Sequence, residues 1–175
     1  MGAHTTPASH GATTLSTAEW DTYIKDNTRI GSILVLQDGY SGTATPSAQF
    51  SPYGASNIGD ATSDGAFYFT FRVPALFTSI QRAYAVFFDT AESGNLRYSV
   101  TTNWAANGEA YNLNTDSIAT TTQAITQNAM TEVDISAAFT GIAAGDYVGL
   151  RIDRLGTDAL DTLTTVRILC FIMEF

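Results

Sequence analysis

The stretch GDYVGLRIDRLGTDALDTLTTVRILCFIMEF, residues 145–175, places a polar segment rich in Asp and Arg between two apolar runs. In its first half Val148, Leu150 and Ile152 alternate with polar or small residues, which is the period of a half-buried strand. Asp and Gly in the middle are typical of turns. The stretch therefore predicts two strands joined as a hairpin by a polar turn.

The same period recurs upstream. AFYFTFRVP, residues 66–74, puts its Phe side chains on one face, and NLRYSVTTNW, residues 95–104, does the same with Leu96, Tyr98 and Val100. The turn TAESG predicts that the second of these strands forms a hairpin with IQRAYAVFFD, residues 80–89. Seven or eight strands without helical patterns between them predict an all-β, antiparallel, jelly-roll-like β-sandwich over residues 32–175.

The first part of the chain has a different pattern. Residues 1–15 are small and polar and predict a flexible arm. A capping box then opens STAEWDTYIKDNTRIG, which predicts one short amphipathic α-helix over about 16–28 with Trp20, Tyr23 and Ile24 on one face. Residues 1–31 therefore form a separate segment. Its helix either covers one end of the sandwich or docks the arm to a partner or to symmetry-related helices.

Charge and length exclude several classes of partner. The 175-residue chain has a formal net charge of −9 and a sequence pI near 4.3, which disfavours nucleic acids and anionic membrane surfaces. A membrane span needs about 20 apolar residues, and no apolar run of this chain is that long. Residues 1–15 lack the pattern of a secretory signal. The single cysteine, Cys170, lies in an apolar run and is expected in the core.

Catalytic chemistry has little support in the sequence. The two histidines, His4 and His10, lie in the arm, which disfavours Ser-His or Cys-His catalysis in the sandwich and offers only a weak metal signal. The glutamates after residue 31 show no catalytic spacing and are expected to be solvated loop acids. We expect no catalytic residues, no cofactor and no enzymatic activity.

The polar segment of the opening stretch offers a metal alternative. Asp153, Asp158 and Asp161 are candidate Ca²⁺ ligands, although their spacing differs from that of an EF-hand. The favoured interpretation is that these aspartates cap the turn and pair with Arg151 and Arg154. We therefore expect no metal site.

Aromatic residues in or beside predicted loops offer a binding function. Trp104 and Tyr111, with Tyr40 and Tyr53, have Asn and Asp neighbours, and flat rings beside hydrogen-bonding groups suit a sugar. Trp104 and Tyr111 are the candidate glycan contacts. The alternative is that loop aromatics only close the ends of the sandwich.

The last strand is apolar on both faces if its alternation is unbroken. Val166, Ile168, Cys170 and Ile172 then share one face. The residues of the opposite face are Leu169, Phe171, Met173 and Phe175. A second apolar face needs cover, so we expect this second set to form a homo-oligomer interface, with a trimer preferred. The alternative cover is the helix at 16–28.

Three segments resemble structural proteins of tailed bacteriophages. They are HGATTLSTAEWDTYIKDNTRIG, NLRYSVTTNWAANGEAYNLNTDS, and TEVDISAAFTGIAAGDYVGLRIDRLGTDALDTL with its closing apolar strand. The resemblance covers roughly residues 66–175 together with the leader, and the ending in Glu174 departs from it. It implies a capsid decoration, tail or host-attachment protein of the virion, with capsid or tail proteins and a host surface glycan as partners. It implies no catalytic residues.

Overall fold

Ten strands form within the part of the chain that the computed structural model describes, which is residues 32–35, 39–42, 55–60 and 62–175. In chain order they are β1 (Ser32–Val35), β2 (Gly39–Gly42), β3 (Ser56–Asp60), β4 (Gly65–Arg72), β5 (Arg82–Phe88), β6 (Gly94–Ala105), β7 (Asn114–Ile125), β8 (Thr131–Asp134), β9 (Tyr147–Arg154) and β10 (Thr165–Glu174). A 3-10 helix, Ser136–Phe139, follows β8.

The strands make two antiparallel sheets that enclose one core. Sheet A has the order β1-β10-β5-β8, and β3 pairs with β10 beyond the end of β1. Sheet B has the order β2-β4-β9-β6-β7. This arrangement confirms the predicted all-β, antiparallel, jelly-roll-like sandwich. Within the described residues, no helix is long and apolar enough to cross a membrane.

Alternating side chains explain why these segments are strands with one face in the core. In β4, Phe67 and Phe69 are fully buried whereas Thr70 and Arg72 are exposed. The predicted inward faces of β6 and β9 are confirmed in the same way. Their core residues are Leu96, Tyr98, Val100, Val148, Leu150 and Ile152.

Both predicted hairpins are wrong, because each joins strands of different sheets. β5 pairs with β10 and β8 in sheet A, whereas β6 pairs with β9 and β7 in sheet B. β9 likewise lies in sheet B and β10 in sheet A. A turn signal shows where the chain reverses, but the partner of each strand is decided by packing between segments distant in sequence.

A β-bulge in β10 overturns the predicted faces of the last strand. Opposite β5, Ile168 pairs with Phe87 but Cys170 pairs with Val86, so Leu169 is an extra residue in the ladder. The extra residue reverses the alternation. Ile168 therefore faces the core, and so does Met173, while Cys170 lies on the outer side of sheet A in a small apolar cluster with Val86.

The predicted oligomer interface consisted of Leu169, Phe171, Met173 and Phe175. Phe171 and Met173 are instead fully buried in the protein's own core, where the ring of Phe171 stacks on Phe71 and Phe139 at centroid distances of 5.4 and 5.3 Å. Leu169 packs against the outer cluster of sheet A, and Phe175 is half-buried beside Phe77 at 5.7 Å. The bulge thus removes the argument from this strand for a partner subunit, and the trimer stays a prediction.

A buried ion pair closes the loop between β9 and β10. Arg154 is fully buried, and its Nη2 and Nε atoms lie 2.7 and 3.1 Å from the carboxylate of Asp161. Arg154 also donates to the carbonyl oxygen of Leu163. Asp161 accepts the backbone amides of Arg97 in β6, at 3.0 Å, and of Leu163, at 3.2 Å. The crossing between the sheets is therefore anchored to two strands of sheet B.

The predicted arm and helix, with Trp20, Tyr23 and Ile24, lie outside the described residues, as do His4 and His10. The docking role of the helix and the division of the chain at residue 31 stay predictions.

Replacing Arg154 with Met is expected to destabilise the fold by about 3–5 kcal/mol, because Asp161 remains as a buried carboxylate without a counter-ion. The double variant Arg154→Met, Asp161→Leu should recover much of that loss. Urea unfolding followed by tryptophan fluorescence measures both. The control Arg151→Met breaks an exposed ion pair with Asp153 and should lower the free energy of unfolding by less than about 1 kcal/mol. Equal losses of stability in Arg154→Met and Arg151→Met would contradict the importance of the buried pair.

Stability should fall as the pH is lowered below the ordinary range of carboxyl pKa values. The hydroxyl and amide of Ser136 bond Asp134 at 2.6 and 2.9 Å and hold its pKa below the ordinary value. The stabilisation is therefore complete above the unfolded pKa and is lost as the pH falls through the lower folded pKa. We expect Asp134→Asn to be less stable than the wild type near neutral pH by about 0.5–1 kcal/mol. Its urea midpoint should also vary less between pH 5 and pH 3; an unchanged pH dependence would refute the assignment.

Candidate functional site

The outward side of sheet B brings together side chains from its three central strands. Because successive side chains of a strand point to opposite faces, the residues between the core residues of β4, β9 and β6 face outward. The strand pairing aligns these residues in rows across the sheet. The rows are Arg72, Tyr147 and Ala105; Thr70, Gly149 and Asn103; and Tyr68, Arg151 and Thr101.

A groove lies over these rows, and Gly149 forms its floor. A cavity of about 440 Å³ toward the β6–β7 loop and a second of about 320 Å³ toward Arg151 are both lined by Thr70, Asn103 and Gly149. A Cβ atom built on Gly149 would meet no atom within 4 Å, so the missing side chain leaves open space between its neighbours. We call this surface the sheet B groove. From Tyr147 to Arg151 it extends about 13 Å along β9.

The β6–β7 loop borders one end of the groove. Glu109 folds this loop by accepting the backbone amide of Ala106 at 2.8 Å, while Gly108 adopts a positive φ of 91°. The loop carries Tyr111, which is 84% exposed, toward the cavity that Tyr147 also lines. Tyr147 is itself 50% exposed. Two solvent-accessible aromatic rings therefore stand at this end.

Arg72 holds the ring of Tyr147 from the side of β4. Its guanidinium carbon lies 5.4 Å from the ring centroid of Tyr147, and its Nε atom donates to the carbonyl oxygen of Gly145 at 3.2 Å. The guanidinium is thereby fixed against an aromatic face. Tyr147 is consequently the better supported of the two exposed rings.

The opposite end of the groove is polar and charged. Arg151 donates to Asp153 through Nε at 2.9 Å and Nη2 at 2.5 Å, and this pairing raises the pKa of Arg151 above its ordinary value. The same guanidinium lies 5.8 Å from the ring of Tyr68, whose hydroxyl is 3.2 Å from the hydroxyl of Ser41. Hydrogen-bond donors and acceptors are therefore fixed in place beside a third aromatic ring.

The predicted glycan contacts separate into one residue at the groove and one in the core. Tyr111 lies at the groove, but Trp104 is only 6% exposed and belongs to the core cluster. The prediction that Trp104 contacts a glycan at the surface is therefore wrong. The reason is that β6 continues to Ala105, so that the alternation which buries Val100 also turns Trp104 inward.

Most groove residues were absent from the sequence-based candidates. The outward orientation of Tyr68 and Thr70, and of Tyr147 and Arg151, follows from the alternation in their own strands. No local signal shows that these strands are neighbours, because β4, β9 and β6 are far apart in the chain. Gly149 in the middle of a strand was the available signal, since such a glycine marks a bulge or a close approach.

The three calcium candidates do not form one site. Asp153 pairs with Arg151 on the outer side of sheet B, Asp161 pairs with buried Arg154, and Asp158 accepts from Nε of Arg97 at 3.2 Å. The expected pairing with Arg151 and Arg154 is confirmed for Asp153 and Asp161, whereas Asp158 pairs with Arg97 of β6 instead. Within the described residues, no group of three His, Cys, Asp or Glu side chains could hold a metal ion.

Comparisons with known proteins give remote structural neighbours. No family model matches the chain, and no curated protein sequence matches it. A carbohydrate-binding module solved with beta-1,4-galactotriose has a TM-score of 0.41 and 12% identity, over 77% of this chain and 86% of that one. A family 11 module from Clostridium thermocellum, solved with a beta-1,3-1,4-mixed-linked tetrasaccharide, has a TM-score of 0.39 and 7% identity, over 82% and 86%.

A third neighbour comes from a study of promiscuous carbohydrate-binding modules of the beta-sandwich superfamily. Its TM-score is 0.35 at 8% identity, and the match covers 83% of this chain but 58% of that chain. At such identities and TM-scores, the similarity establishes neither a shared family nor a shared ligand.

Trp104→Ala should lower the free energy of unfolding far more than Tyr111→Ala. Removing the buried indole is expected to cost about 3–5 kcal/mol through lost apolar contacts and a cavity, whereas removing the exposed phenol ring should change stability by less than about 0.5 kcal/mol. Urea unfolding followed by circular dichroism checks both. A small loss for Trp104→Ala would contradict its place in the core.

Proposed function

We propose that the sheet B groove binds a glycan. The observation that carries this proposal is the open trough over Gly149, flanked by Thr70 and Asn103 and ending at the exposed ring of Tyr147. A sugar has apolar C–H faces and a rim of hydroxyl groups. Aromatic rings can stack on the faces, while amide, hydroxyl and guanidinium groups bond the hydroxyls.

The shape of the groove favours a segment of an extended chain over a small metabolite. Sites for small molecules enclose most of the ligand surface, whereas the two cavities here lie end to end on an open sheet face and share Thr70, Asn103 and Gly149. A length of about 13 Å from Tyr147 to Arg151 exceeds one pyranose ring. The expected ligand is therefore an oligosaccharide or a stretch of polysaccharide.

The groove is proposed to bind without cleaving. Glycoside hydrolysis needs two carboxyl groups facing each other across the scissile bond. Of the acids near the groove, Glu109 accepts the amide of Ala106 and Asp153 is held by Arg151. Both carboxylates thus support the protein's own structure, which favours a binding module over a hydrolase.

The resemblance to phage structural proteins adds a proposed setting for this binding. In a capsid decoration or tail protein of a virion, a glycan site on an outer sheet would serve attachment to the host surface. Docking to other virion proteins through the helix with Trp20, Tyr23 and Ile24 is part of that second proposal. A gene for a capsid or tail protein beside this one in the source genome would support it.

Two groove variants test glycan binding. Tyr147→Ala should weaken binding about fivefold, because a stacked ring contributes on the order of 1 kcal/mol. Gly149→Leu should abolish binding by filling the trough while leaving stability unchanged or slightly higher, since its Cβ meets open space and Gly weakens a strand. Affinity electrophoresis and calorimetry against a panel of neutral and acidic polysaccharides measure the effect.

Leu160→Ala provides the control, because Leu160 is an exposed apolar residue of the β9–β10 loop, outside the groove lining. It should bind as the wild type does. Absence of binding across the panel, or wild-type affinity in Gly149→Leu, would overturn the proposal.

A further inference from the structure

Arg72 is distinguished from the other arginines of the described residues by having no acidic partner. The remaining five each form an ion pair. These pairs are Arg82–Glu132, Arg97–Asp158, Arg151–Asp153, Arg154–Asp161 and Arg167–Asp89. With 17 acidic residues against 8 basic ones in the chain, partners are abundant, so an exposed arginine left unpaired is notable.

Contacts within the protein fix the orientation of Arg72. Its Nε atom donates to the carbonyl oxygen of Gly145 at 3.2 Å, and its guanidinium lies against the ring of Tyr147 at 5.4 Å. In the described structure neither Nη atom has a hydrogen-bond partner. A guanidinium held in this way presents a planar set of donors with little entropy left to lose, which suits bidentate contact with a carboxylate.

Arg72 lies beside Tyr147 at the border of the aromatic end of the groove, although it lines neither cavity itself. Arg72 pairs with Tyr147 across the sheet, and it lies two residues beyond Thr70 on the same outward face. Same-face neighbours along a strand are separated by about 7 Å. A substituent on a sugar that stacks on Tyr147 or bonds Thr70 is therefore within reach of Arg72.

The acids nearest this end are already engaged by the protein. Glu109 accepts the amide of Ala106 at 2.8 Å, and Asp146 is buried and accepts the amide of Ala143 at 2.8 Å. The net charge of −9 acts against anions at long range, but salt screens it over about 10 Å at 0.1 M ionic strength. A contact charge pair at Arg72 is screened much less.

We infer that the Arg72 end of the sheet B groove accepts the carboxylate of an acidic sugar, so that the preferred glycan contains uronic acid or a similar carboxylated residue. This inference rests on the proposed glycan binding and specifies its ligand class. Tyr147 stacks on the sugar ring, and Arg72 bonds the carboxylate through its two Nη groups.

The test uses the full chain and matched oligosaccharides of equal length. The carboxylated probes are oligogalacturonate and oligomannuronate, the neutral probes are galactan and mannan oligosaccharides, and a sulfated galactan provides the sulfate arm. Calorimetry should show at least about tenfold tighter binding of one uronate than of its neutral counterpart, and this preference should decrease as NaCl is raised. Arg72→Gln should remove the preference, and Arg72→Lys should keep part of it because it retains charge without the planar fork.

Arg82→Gln is the matched control, because Arg82 is an arginine of sheet A, away from the groove. This variant should keep the uronate preference.

Equal or tighter binding of the neutral probes by the wild type would overturn the inference and leave the proposed function standing. Preference for the sulfated probe alone would do the same. An equal weakening of acidic and neutral binding in Arg72→Gln would also overturn it, since Arg72 would then only support Tyr147. Absence of binding to every probe would refute both proposals.

Discussion

The buried pair of Arg154 and Asp161 is the interaction on which the joining of the two sheets depends. It lies where the chain leaves β9 in sheet B and crosses to β10 in sheet A. Burying two charges is costly, and their attraction offsets that cost only when further hydrogen bonds complete the geometry. Here the carbonyl oxygen of Leu163 and the amide of Arg97 supply such bonds. The polar segment that first suggested a metal site is therefore the internal anchor of the crossover.

This anchor also positions the groove, because β9 contributes to both. Its inward residues Val148, Leu150 and Ile152 are in the core, and its outward residues Tyr147 and Gly149 form part of the groove. Neither set can shift along the strand without moving the other. The geometry of the outer surface is thus determined by packing on the inner one, which is what a preformed binding surface requires.

Sequence alone predicted the features that depend on neighbouring residues. Alternation predicted the sandwich and the inward faces of β4, β6 and β9. The Asp and Arg content of residues 145–175 predicted the pairs Arg151–Asp153 and Arg154–Asp161, but not the pair of Asp158 with distant Arg97. It failed where distant segments decide the outcome. The partners of β5 and β10 are set by packing, one extra residue at Leu169 reverses the faces of β10, and the true end of β6 determines that Trp104 is buried. The groove was missed for the same reason, since it exists only because β4, β9 and β6 are adjacent.

The glycine at the floor of the groove has a consequence for how such a surface can change over generations. A Cβ atom added to Gly149 meets open space, so a larger residue at this position would not disturb the packing of the core. A protein near its stability threshold loses most variants that disturb packing, but here one codon can alter the depth of the trough at little cost to folding. The scaffold can thus be inherited intact while the shape of this outer surface diverges among descendants.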